Sequence, residues 1–149
     1  MNRHMTRRFM TLTSMTASAI LLVTAHAPVD AQQRSQGTAA PRIYSEAQAV
    51  RGELLYADNC SYCHLVDLSG GDLSPALTGA PFIVKWTSRP LSEVFDYMRT
   101  QMPLNSVGGL SGQQNADILA FLLKRAGLPA GTADLPAASA ALRGVILQP

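Results

Sequence analysis

Cys60-Ser61-Tyr62-Cys63-His64 is the stretch on which the reading of this chain turns. A C-x-x-C pair followed at once by histidine is the spacing of covalent haem attachment. Two thiols on one helical turn can each add to a vinyl group of haem as a thioether. The next residue then presents its imidazole to the iron from the same side. Three other uses of the cysteines compete. A redox C-x-x-C wants a strand-to-helix setting with a nucleophilic cysteine at a helix N-terminus, whereas here a helical pattern precedes the motif. A zinc site needs at least a fourth ligand, and the chain beyond its first thirty-one residues has no further Cys or His. A structural disulfide across two residues leaves His64 and the long loop after it without a role. Haem attachment uses all three side chains.

Working outward, Ser45 and Gln48 form an S-x-x-Q capping box. Ala47, Val50, Leu54 and Ala57 share one face of the helix it opens, which is expected to end near Asn59. A second helix is predicted from about Pro90, with Leu91, Val94, Phe95 and Met98 at i, i+3, i+4 and i+7 and Pro103 as its stop. A third opens at Ser111 with a capping box to Gln114. It carries Ile118, Leu119, Leu122 and Leu123 or Ala126 on its apolar side, and Gly127 followed by Pro129 ends it. No run of alternating β-branched residues reads as a strand, so the expected class is all-α. Between the first two helices, Leu65 to Arg89 is a stretch rich in Gly, Ser, Pro and Thr. A loop of that length inside a compact domain requires something to fill the space it encloses. Three short helices make a poor core, and a large apolar prosthetic group repairs the deficit.

At 149 residues, 47% hydrophobic and 15% charged, the chain is one domain's worth and is not a highly charged disordered one. A net charge of +2, with no Lys/Arg run beyond Arg7-Arg8 and Lys124-Arg125, argues against a nucleic-acid partner. Two cysteines exclude a disulfide-dense scaffold.

Residues 1–31 read as a secretory signal. Arg3, His4, Arg7 and Arg8 make a positive start, Met10 to Ala25 is apolar or small, and Ala27-Pro28-Val29-Asp30-Ala31 offers the cleavage site. Cutting after Ala27 would leave Pro28 first, so the cut is placed after Ala31. Thr11, Thr13, Ser14, Thr16 and Ser18 thin the run below the ~20 apolar residues that a membrane anchor wants. The expected compartment is the periplasm, with no membrane span once the signal is removed. Residues 32–43 are polar and aperiodic and read as a flexible N-terminal arm, and 44–128 form the helical domain. Residues 129–149 form an Ala/Pro-rich tail whose apolar end (Leu142, Val145, Ile146, Leu147) is expected to pack over the domain.

Signal removal leaves nine basic and nine acidic groups, one histidine (His64) and two methionines, Met98 and Met102. With His64 on one face of the iron, a second histidine ligand is excluded and the methionines are the candidates for the other face. Met98 shares the apolar stripe with Leu91, Val94 and Phe95, a core position. Met102 stands where Pro103 ends the helix and the chain can turn a side chain inward. The expected metal ligands are therefore His64 and Met102. A soft sulfur donor favours ferrous iron and raises the potential.

These residues resemble the class I mono-haem c-type cytochromes over roughly Tyr44 to Leu128. The likeness rests on Gly52 and Tyr56 ahead of the motif, Ser74-Pro75-Ala76-Leu77-x-Gly79, Trp86 and Met102-Pro103. The run Val94 to Pro103, with Gly109-Leu110-Ser111 and Gly127-Leu128-Pro129-Ala130-Gly131, is similar to the cytochrome c domains associated with quinoprotein alcohol dehydrogenases. Val107 departs from that subgroup, which usually has proline there. The resemblance implies a small cytochrome c fold around one haem c held through Cys60 and Cys63. It implies that the Pro75 carbonyl accepts a hydrogen bond from the axial histidine, and that Gly52 lets the first and third helices approach, with Phe121 facing it. Trp86 is either a propionate neighbour or core, and Arg99 either a propionate partner or a solvated helix arginine.

The function implied is that of a one-electron carrier, not an enzyme. Its donor would be a periplasmic dehydrogenase, a quinoprotein one by resemblance, and its acceptor a downstream oxidase or cytochrome of a respiratory chain. Two alternatives stand beside it. One is the cytochrome subunit of a stable oxidoreductase complex, with the apolar tail as a docking strip. The other is a haem enzyme or gas sensor with an open iron, disfavoured by the absence of a second histidine or an evident distal acid.

Overall fold

A computed structural model describes residues 42–72 and 74–147. The proposed signal segment and nearly all of the N-terminal arm lie outside these residues. The described part is helical: α1 (Glu46–Asn59), α2 (Ser61–His64), α3 (Gly79–Trp86), α4 (Leu91–Gln101), α5 (Gly112–Arg125) and α6 (Ser139–Leu142). Among the described residues there is no strand, only three isolated bridges.

α1 starts where Ser45 accepts a hydrogen bond from the Gln48 amide at 3.0 Å. The second half of the expected capping box is not made. Gln48, fully buried, uses its side chain on the tail instead: Nε2 donates to the Leu135 carbonyl at 3.1 Å, and Oε1 accepts from the Leu135 amide at 2.5 Å. The expected apolar face of α1 is also corrected. Val50 and Leu54 are 49% and 67% exposed, while Gln48, Ala49, Gly52 and Tyr56 are buried. Gly52 is the reason. A Cβ there would stand 1.8 Å from the Asp117 carbonyl oxygen, so α1 meets α5 backbone to backbone on the side that carries the glycine. Phe121 packs on Tyr56, ring centroids 5.3 Å apart, and it is Asp117 and Ile118 that face Gly52.

α4 and α5 follow the sequence pattern closely. Leu91, Val94, Phe95 and Met98 are buried on α4. Both halves of the Ser111–Gln114 capping box close at the start of α5. At its end Gly127 takes φ +88°, and Leu128 and Gly127 donate to the Leu123 and Lys124 carbonyls, a Schellman end.

The stretch between α1 and α4 is not all loop. α3 forms inside it, opened by Thr78, whose hydroxyl donates to the Arg125 carbonyl at 2.8 Å and ties this helix to the end of α5. Residues after 129 run back across the domain. Leu135, Leu142 and Leu147 are buried, the Ser88 and Leu91 amides donate to the Leu147 and Val145 carbonyls, and Ser139 donates to Asp96 of α4. Arg51 holds Asp117 through two bonds and Asp134 through a third at 2.6 Å, joining α1, α5 and this returning segment.

Candidate haem site

The motif sits at the joint of α1 and α2. Cys60 closes α1, its amide donating to the Tyr56 carbonyl at 2.9 Å, and its own carbonyl accepts from Cys63 and His64 at 3.2 and 2.9 Å. One turn therefore carries all three chemistry-bearing side chains. Beyond His64 the chain reverses sharply. Leu65 and Leu68 lie at φ +62° and +65°, a region that costs a non-glycine residue about 1–3 kcal/mol. The turn is held where the Tyr56 hydroxyl donates to the Leu65 carbonyl at 2.7 Å and the Gly70 amide to the His64 carbonyl at 3.1 Å. Gly70 is required there: its φ is +71°, and a Cβ would stand 2.4 Å from the Ser74 carbonyl oxygen.

The reversal brings Pro75 back to the histidine. His64 is buried, and its Nδ1 lies 2.8 Å from the Pro75 carbonyl oxygen. A carbonyl only accepts, so Nδ1–H is the donor in this bond, and in the neutral ring Nε2 is the nitrogen left to act as a ligand. Burial and the neighbouring Cys63 push the Cys60 thiol up to about 11. Such a thiol is a poor exchange nucleophile at neutral pH, unlike the depressed thiols of redox C-x-x-C pairs.

A cavity of about 320 Å³ opens beside this turn, within the ~300–1,000 Å³ usual for small-molecule and cofactor sites. Tyr56, Cys60, Cys63 and His64 form one wall, and Ser74 to Leu77 another. α3 contributes Phe82, Lys85 and Trp86, and α4 contributes Val94, Tyr97 and Met98. Met102 to Asn105 follow, and Ile118 and Leu122 of α5 complete the lining. Of the residues that the sequence put forward, Cys60, Cys63, His64, Pro75, Trp86 and Met102 all line this one cavity. Met102 caps α4 with extended backbone, φ −129° and ψ 154°, so its side chain has left the helical stripe that buries Met98.

Arg99 is not in the wall. It is exposed on α4, its guanidinium 5.6 Å from the Phe95 ring centroid, a placement that fits the solvated helix arginine. Two wall residues, Lys85 and Tyr97, carry no signal in the sequence. The Lys85 ammonium stands 5.1 Å from the ring centroids of both Trp86 and Tyr97. That arrangement depends on α3, whose Lys85-Trp86 pair has the local pattern of a loop.

The donor set suits haem c: two thiols on one turn, a buried imidazole whose Nδ1 is engaged by the Pro75 carbonyl, a thioether, and mainly apolar walls. A family described as cytochrome c oxidase, cbb3-type, subunit III, matches residues 47–122. Among solved structures, a chain in the crystal structure of the sulfane dehydrogenase SoxCD from Paracoccus pantotrophus is similar at 25% identity and a TM-score of 0.52. That likeness covers 85% of this chain and 68% of that one. No curated protein matches the chain. The fold, the motif and the family match over half of its length place this chain in the cytochrome c family of the cbb3-type oxidase subunit III.

Proposed function

We propose that the protein is a periplasmic mono-haem cytochrome c that carries single electrons, with His64 and Met102 as the residues that would hold its iron. The observation that carries this reading is the His64–Pro75 hydrogen bond in the wall of a cavity that also takes in both thiols and Met102. Haem iron, when bound, supplies a one-electron couple whose potential the protein sets. Cys60 and Cys63 fix the group to the α1–α2 joint. The Pro75 carbonyl holds the His64 tautomer, orients the ring and raises its basicity. Met102 offers a soft sulfur that favours the ferrous state. Phe82, Trp86, Val94, Ile118 and Leu122 keep water from the buried side of the site. The donor in this reading is a periplasmic dehydrogenase, a quinoprotein one by sequence resemblance. The acceptor is a downstream oxidase or cytochrome, and nothing is chemically transformed.

A second reading, the cytochrome subunit of a stable oxidoreductase, is favoured by the similarity to a chain of the sulfane dehydrogenase structure. It keeps the same site and differs in the lifetime of association.

The test is haem staining of denatured protein matured in a periplasm, joined to a redox titration of the native holoprotein. The expected result is covalent haem in the unaltered chain, lost on Cys60→Ala with Cys63→Ala, and a reversible one-electron wave. Staining that persists unchanged after both substitutions contradicts the attachment.

A further inference from the structure

We propose that Lys85, held between Trp86 and Tyr97, is a positioning residue that pairs with a haem carboxylate at the cavity wall and poises the iron toward its reduced state. The inference rests on the haem reading above and assigns it a cation. Lys85 is the only Lys, Arg, Asp or Glu among the described residues that line the cavity. A dicarboxylate cofactor seated there has this one ammonium in the wall to meet it. Its stem leaves the last turn of α3, and the ammonium lies 5.1 Å from each of two ring centroids, themselves 6.0 Å apart. Attraction of a cation to two aromatic faces limits the conformations of a long side chain before any ligand arrives.

The neighbouring charges are otherwise engaged. Arg89, 5.5 Å from the Trp86 centroid, is bonded to Glu93 at 2.8 Å, and Asp96 accepts from Ser139 at 2.6 Å. These three line the shallow surface groove that shares Lys85, Trp86 and Tyr97 with the cavity. Among the described residues no carboxylate pairs with Lys85. A positive charge beside the site favours the state of the iron with one charge fewer, and because Lys85 is exposed, solvent screening keeps that preference modest.

The experiment compares the reduction potentials of unaltered holoprotein, Lys85→Met, Lys85→Arg and Arg99→Met by equilibrium titration, with visible spectra of each. Lys85→Met is expected to keep covalent haem and the low-spin spectrum. The equilibrium constant for its reduction against a fixed reference couple should fall about three- to tenfold, tenfold being 59 mV for one electron. Lys85→Arg keeps the charge and stays within about twofold of the unaltered protein, as does Arg99→Met. An unchanged potential in Lys85→Met with its spectrum intact overturns the proposal and leaves the haem reading standing. So does an Arg variant that shifts as far as the Met variant, or an Arg99→Met that shifts further than Lys85→Met. An unaltered chain that retains no covalent haem overturns both.

Discussion

Met98 and Met102 stand four residues apart, both reach the cavity, and only their backbone separates their roles. Met98 is helical and 9% exposed, packed with Val94 and Phe95. Met102 has left the helix. Met102→Ala is expected to yield a reduced protein that binds carbon monoxide, with little change in melting temperature. Met98→Ala should lose about 2–5 kcal/mol of stability, as buried Met-to-Ala changes do, and keep its low-spin spectrum. A visible spectrum and a thermal melt of each variant check the pair, and loss of the low-spin spectrum on the Met98 side would reverse the assignment. At this scale the sequence is most legible where the chemistry is contiguous. C-x-x-C-H needs one helical turn and nothing else, and the Met102-Pro103 step announces its own break. Lys85 and Tyr97 are illegible for the opposite reason, since their proximity depends on two helices and appears in no local spacing.

At the scale of the element, α1 shows how periodicity misleads. Ala47, Val50, Leu54 and Ala57 make the more hydrophobic stripe, but the helix buries the stripe that lets it come closest to α5. Backbone-to-backbone packing selects glycine and alanine over branched side chains. Gly52→Ala is therefore expected to cost about 3 kcal/mol or more, because the added carbon meets the Asp117 carbonyl and the helices must part. Leu54→Ser, on the exposed stripe, should stay within about 0.5 kcal/mol. Denaturant melts of the two variants check this, and equal losses would contradict it. α3 is hidden in the sequence because it opens Gly79-Ala80-Pro81, residues that read as turn, although proline is tolerated in the first turn of a helix.

The returning segment after 129 is an element-scale feature with a pH signature. Hydrogen bonds from Ser45 and Arg51 hold the Asp134 carboxyl below its ordinary value of 3.8. A lowered folded-state value means that its stabilisation is complete above the unfolded value and fades as pH falls through the folded one. Asp134→Asn should thus melt slightly below the unaltered protein at neutral pH, with the gap closing below about pH 4. The effect is small because the pair is half exposed. A gap that persists undiminished at pH 2 would contradict the linkage.

Over the whole molecule, the helices and returning segment form a frame around a cavity whose walls come from α1 through α5. The all-α class is legible in composition and capping signals, and the space to be filled is legible as an overlong loop. The number of helices around that space is not, since α3 opens on Gly79-Ala80-Pro81 and is tied to the end of α5 through Thr78, a bond that no local window contains. In the proposed reading, with His64 and Met102 both on the iron, such a frame would hold the haem closed from both sides, which suits electron transfer and would exclude exogenous ligands. The most direct test is the visible spectrum of the reduced holoprotein, matured in a periplasm, before and after carbon monoxide. An unchanged low-spin spectrum is the expected result. A shifted spectrum with carbon monoxide bound would contradict it, because the iron would then be open where Met102 is proposed to close it.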